Sequence, residues 1–157
     1  HLIKHVEGRN SFTMTAVPAG TYTSIEFLVG VDSVRNRSGA QTGDLDVKEN
    51  MFWGWNQGYI FFKLEGQFKN TANPDFTPYG MHVGTVPCIE KVVMSIPKPL
   101  VIGDQKRSSL YFKARIDSVF NGKVDIDLDN YSAISDRTAK TLSTNYKSMF
   151  AIYNTVN

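Results

Sequence analysis

Apolar residues recur at every second position along several short stretches of the chain. From Thr21 to Val31, Thr23, Ile25, Phe27, Val29 and Val31 fall on one side and Ser24 and Glu26 on the other. That alternation marks a half-buried strand. Ser11 to Val17 alternates in the same way, with Phe12, Met14 and Ala16 together, before the turn Pro18-Ala-Gly20. From Tyr59 the pattern resumes, with Ile60, Phe62 and Leu64 inward and Lys63 and Glu65 outward. Further strands are expected at Ile89 to Ile96, Ser109 to Asp117, Lys123 to Leu128 and, closing the chain, Phe150 to Val156. One helix is expected at Ser135 to Met149, capped by Ser135 or Asp136, because Leu142, Tyr146 and Met149 fall near helical spacing. Short alternating strands between Gly/Pro turns predict an all-β chain, an antiparallel β-sandwich or barrel-like sandwich with at most one short helix.

Two loops interrupt this pattern. Asp32 to Asn50 holds three polar turn clusters, and a loop that long in a compact domain is usually functional or mobile. Asn70 to Gly80, carrying Pro74 and Pro78, is the second, and it ends at Met81 and His82. The first loop leads directly into Met51-Phe-Trp53-Gly-Trp55-Asn-Gln-Gly-Tyr59, which contains both tryptophans of the protein. If a strand has begun at Trp53, the two indoles share a face, since residues i and i+2 of a strand point the same way. From geometry alone, such a pair is more often core than site.

The chain has 157 residues, the size of one domain with a real core, and its 17 basic and 15 acidic residues are spread along it. It lacks the basic stripe of a nucleic-acid binder, and no apolar run reaches the roughly 18 residues of a transmembrane helix. It opens at His1 and reads as a mature product, a fragment or the ordered part of something longer, a single domain over 1–157 that lacks an N-terminal portion. Cys88 is its one cysteine, so no internal disulfide can form, and a buried, inert thiol is the favoured reading.

No nucleophile elbow, phosphate-cradling loop, zinc-ligand pair or catalytic triad is legible, so no catalytic residue is named and a binding protein is expected. Asp125, Asp127 and Asp129 have the spacing of a calcium loop but lack its Gly and its final Glu, and a solvated strand face accounts for them better. His1 and His5 have helical spacing in a stretch that nothing else marks as helix. His82 stands after an aromatic loop beside Met81, as Met51 stands beside Trp53 and Trp55. Thioether and imidazole suit copper, above all its reduced form, and an indole face can hold a cation.

The stretch from Met51 to Tyr59, preceded by Phe27-Leu-Val-Gly-Val-Asp-Ser33 and Asn36 and followed by Tyr79-Gly-Met-His82-Val-Gly84, resembles the MbnP-like family over roughly residues 17 to 130. Met51 to Tyr59 matches that family's Met-Phe-Trp-x-Trp-(Asn/Gln)-x-Gly-Tyr motif at every fixed position, and the loop Ser38 to Asp46 is similar to its Bacteroidetes-type branch. The resemblance implies a periplasmic or outer-membrane-surface protein, lipid-anchored through the missing N-terminus. It implies copper held near His82, Trp53, Trp55, Met81 and Met51. It also implies a partner, a dihaem peroxidase-like enzyme that oxidises Trp53 or Trp55 to kynurenine, with Trp53 the preferred candidate.

Family copper sites use a second histidine just after an upstream Asn. Here that place reads Asn36-Arg37, and a guanidinium has no lone pair to give a metal. The alternative is therefore a surface interaction module, a subunit of an outer-membrane assembly or a glycan binder, that has lost the metal site. Paired exposed aromatics suit either partner.

Overall fold

The computed structural model describes residues 1–70, 75–103, 107–131 and 136–157. It is an antiparallel, mostly β structure whose sheets stay open. Strand β1 (Gly20–Val29) pairs with β5 (Glu90–Ile102), β2 (Phe52–Gly54) with β3 (Gly58–Lys69) and β3 with β4 (Phe76–Gly84), and β6 (Ser109–Ala114) with β7 (Phe150–Val156). The β5 strand lies beside β7, and Asn157 ties the two by accepting from Val101 N–H at 2.8 Å.

One strand runs further than the pattern predicted, and one forms where none was expected. β5 passes Pro97 and Pro99, because the four residues after Ser95 fall in an irregularity of the β1–β5 register opposite Thr23. β4 begins at Phe76, inside the expected loop. Pro78 is tolerated there because β4 is the edge of its sheet. Pro74 lies outside the described residues.

Two expected strands do not form. Residues 11–17 are irregular, and Phe12 and Met14 are exposed. At Lys123 to Leu128 only a bridge between Asn121 and Asp125 forms. Asn145 takes the place of a neighbouring strand by accepting from Val124 N–H at 3.0 Å and donating to Val124 C=O at 2.6 Å. Asp127 then accepts from Asp129 N–H at 3.0 Å and turns the chain into a short helix.

One helix was expected, and the described residues hold three: α1 (Ser33–Arg37), α2 (Leu128–Tyr131) and α3 (Asp136–Tyr146). Short polar caps in the loops account for the extra turns. Asp32, for example, accepts from Arg35 N–H at 3.1 Å at the start of α1. Ser135, one expected cap of α3, lies outside the described residues.

The main core forms where α3 and the turn around Val119 cover the inner face of β3–β4. Met81, Val83, Cys88, Val119, Leu142 and Tyr146 are buried together there. Phe62 of β3 meets Tyr146 at a ring separation of 5.4 Å, and the Tyr146 hydroxyl donates to Cys88 C=O. Burial raises the pKa of the Cys88 thiol, which is free. Glu90, at the start of β5, anchors α3 through Lys140 at 2.7 Å and Ser143 Oγ at 3.1 Å.

Candidate binding edge at Trp53, Trp55 and His82

The outer face of β3–β4 is set by alternation. Met81 and Val83 point into the core with 0% exposure, so Gly80, His82 and Gly84 must point the other way. Lys63 stands opposite His82 and Glu65 opposite Gly80. The His82 Nε2 lies 2.7 Å from Glu65 Oε1, and Lys63 Nζ lies 3.6 Å from the same oxygen. The hydrogen bond from His82 holds the Glu65 carboxyl below its ordinary range, with help from the charge of Lys63. An ionised carboxylate accepts only, so Nε2 carries a proton, and in the neutral ring Nδ1 keeps its lone pair.

The tryptophans come to this edge by different routes. Trp53 lies in β2, and its six-membered ring sits where a side chain at position 84 would be: a Cβ there would come within 2.3 Å of Cζ3. Glycine at 84 therefore lets the indole settle on β4, one step along the outer face from His82. Trp55 follows the strand and packs against Gly39, where a Cβ would lie 1.9 Å from the ring. Gly39 has φ +78°, a backbone state that glycine adopts without strain. Neither indole is sealed inside: Trp53 is 39% exposed and Trp55 73%.

The long loop is held against this hairpin by three residues of the motif region. Asn36 is buried, and its Oδ1 accepts from Tyr59 N–H at 2.8 Å. Gly58, with φ +78°, leaves room for that amide, since a Cβ would come within 2.5 Å of Oδ1. The Tyr59 hydroxyl accepts from Gln41 N–H at 3.0 Å and faces the carbonyls of Gly39 at 3.1 Å and Leu45 at 2.9 Å. The fixed Asn, Gly and Tyr of the region thus build the loop that carries Gly39, and with it the seat of Trp55.

The expected ligands divide between two places. His82 and Trp53 share the outer face of β4. Arg37, at the end of α1, lines an open cleft together with Trp55, Asn56, Gln57, Thr85 and Pro87. Thr85, next to Gly84, has φ +71°, an uncommon backbone state for a β-branched residue. Met81 adjoins His82 in sequence but is fully buried on the opposite face, so its thioether does not join the imidazole. Met51, half-buried, precedes β2, and its carbonyl accepts from Ile60 N–H at 2.8 Å. His1 is committed elsewhere, stacked on Phe12 at 4.1 Å with Nδ1 3.3 Å from Asp44.

These donors fit copper at one point and not at another. A ligating histidine almost always gives its second ring nitrogen to a carboxylate or carbonyl, and His82 with Glu65 has that arrangement. A closed, preformed centre does not fit. Among the described residues, no group of three or more His, Cys, Asp and Glu side chains could hold a metal ion. Sequence reasoning did not find Glu65 as the partner of His82. The signal was available: on paired strands, an outward carboxylate stands near the outward histidine of an otherwise sparse face.

No described helix is long and apolar enough to cross a membrane. No curated protein and no solved structure matches the chain. The family model of MbnP, by contrast, matches residues 1–140, taking in the Asn36 latch, the tryptophan motif and the His82 strand. The chain belongs to the MbnP family.

Proposed function

We propose that this chain is an exported, copper-handling member of the MbnP family that acts by binding rather than by catalysis. Copper would associate at the outer face of β4 through Nδ1 of His82, a one-imidazole site beside the Trp53 indole. The observation that carries this reading is the 2.7 Å contact between His82 Nε2 and Glu65, which fixes the ring and leaves the other nitrogen as a donor. Trp53 is the indole we assign as the substrate of a dihaem peroxidase-like partner, because it rests on the same strand face as His82. The periplasm or outer-membrane surface is the proposed location.

Titration with Cu(I) and with Cu(II) tests this. Binding that disappears in His82→Ala and weakens in Glu65→Gln supports it, and equal binding by wild type and His82→Ala overturns it. Mass spectrometry of the protein from its natural source tests the modification, since conversion to kynurenine exchanges one carbon of Trp53 for one oxygen.

A second reading is favoured by a specific observation. Trp55 is largely exposed beside Arg37, which stands where a second histidine ligand is expected. On this reading the chain is a surface interaction module, part of an outer-membrane assembly or a glycan binder, and copper is not its ligand. Failure of copper to bind with native affinity, together with retention of a partner by the Trp55 surface, would decide for it.

A further inference from the structure

We infer that the cleft between Arg37 and Trp55 is a binding site for an acidic sugar chain. This deepens the interaction-module reading and does not depend on copper. The cleft is lined by Arg37, Trp55, Asn56 and Gln57, together with Asn36 and Thr85.

Three features select the ligand. First, Trp55 is seated from one side on Gly39 and still 73% exposed, so a large apolar face is held in place while open to solvent. Fixing the indole in advance lowers the ordering cost of anything that stacks on it. The C–H face of a pyranose is a flat apolar surface that suits such a ring.

Second, the side chains around the ring are polar and uncommitted. Among the described residues, Asn56, Gln57 and the indole N–H of Trp55 make no hydrogen bond through their side chains to the protein. Carboxamides offer both donors and acceptors, which is what alternating hydroxyls require. Asn36 lines the same cleft, 4% exposed, with its Oδ1 spent on Tyr59 N–H.

Third, Arg37 forms no ion pair among the described residues, whereas Arg35 on the same helix pairs with Asp32 at 3.6 Å. An unpaired guanidinium beside an aromatic platform selects a planar carboxylate, which it can bind through two parallel hydrogen bonds. A uronic acid joins the apolar ring face, the hydroxyls and the carboxylate in one residue. The open shape of the cleft admits a chain passing through rather than a single enclosed monosaccharide.

The test is titration of the whole chain with hexagalacturonate and with its methyl-esterified form, followed by tryptophan fluorescence and calorimetry. The acidic oligomer should bind the more tightly. Trp55→Ala should abolish binding of both, and Arg37→Gln should weaken the acidic oligomer roughly tenfold, about 1.4 kcal/mol, while leaving the esterified one unchanged. His82→Ala should bind both as wild type does. A thermal melt of each variant separates lost binding from lost folding. Equal affinity for both oligomers, with Trp55→Ala still abolishing it, overturns the acidic class while leaving the interaction module standing. Binding of neither, or capture of a protein partner by the same surface with no sugar competition, overturns the site altogether.

Discussion

Asn36 Oδ1 accepts a hydrogen bond from Tyr59 N–H at 2.8 Å, across 23 residues of chain. This contact fastens the loop after β1 to the first residues of β3, and both partners are buried. Asn36→Ala leaves a buried N–H without an acceptor, at a cost of about 1–3 kcal/mol. Chemical denaturation should show that loss, and hydrogen exchange should show faster opening at Tyr59 and through residues 36–45. Arg37→Gln, one position along and exposed, should leave stability nearly unchanged.

Gly39→Ala attacks the seat of Trp55 directly. The added methyl group would overlap the indole, and φ +78° disfavours any residue with a Cβ. We expect a loss of more than about 1 kcal/mol and a red-shifted, more quenchable tryptophan emission as Trp55 is pushed into solvent. Gly43→Ala, whose Cβ would meet nothing within 4 Å, shares the positive φ but not the overlap. It should lower stability without altering the emission.

Glu90 makes the attachment of α3 sensitive to acid. Partial burial raises its pKa, but hydrogen bonds from Lys140 and Ser143 and the charges of Lys140 and Lys147 outweigh that, so it titrates below the ordinary 4.5. A carboxylate with a depressed folded pKa contributes stability above its unfolded value and loses that contribution as pH falls through the folded value. Glu90→Gln should therefore cost about 1 kcal/mol or less near neutrality. The difference between variant and wild type should shrink as pH falls below 4.5, as read from thermal melts across that window.

Cys88 should be chemically silent in the folded protein. Its side chain is 2% exposed and its thiol pKa is raised by burial. The thiolate is the reactive form, so a disulfide reagent should modify the native chain slowly and the denatured chain at once. Tyr146→Phe removes the hydroxyl bound to Cys88 C=O, and it should speed native-state labelling by loosening the turn that holds the thiol.

Much of the fold was legible because it rests on period-two alternation. The β1 strand, the closing β7 at Phe150–Val156 and the helix ending near Tyr146 lie close to their expected bounds. What misled was alternation without a neighbour. Val124, Ile126 and Leu128 alternate, but a side-chain amide from Asn145 answers the backbone there, so no ladder grows. Phe12 and Met14 alternate on a segment that no strand accompanies.

At the candidate edge, the motif singled out Trp53 and Trp55 but not that each rests on a glycine of another segment, Gly84 and Gly39. Contacts between distant glycines and rings leave no local periodicity to read. Adjacency misled too: Met81 and His82 look like paired donors in one dimension, and the pleat sends them to opposite sides.

That pleat also decides what a substitution on β4 can reach. On β4 Met81 and Val83 hold the core and outward Gly84 seats Trp53, whereas outward His82 is not among the core side chains. A change at His82 therefore alters what the outer face can hold and leaves the contacts of Met81 and Val83 in place. Packing and contact with a ligand are separate matters at this position, divided by the thickness of one strand.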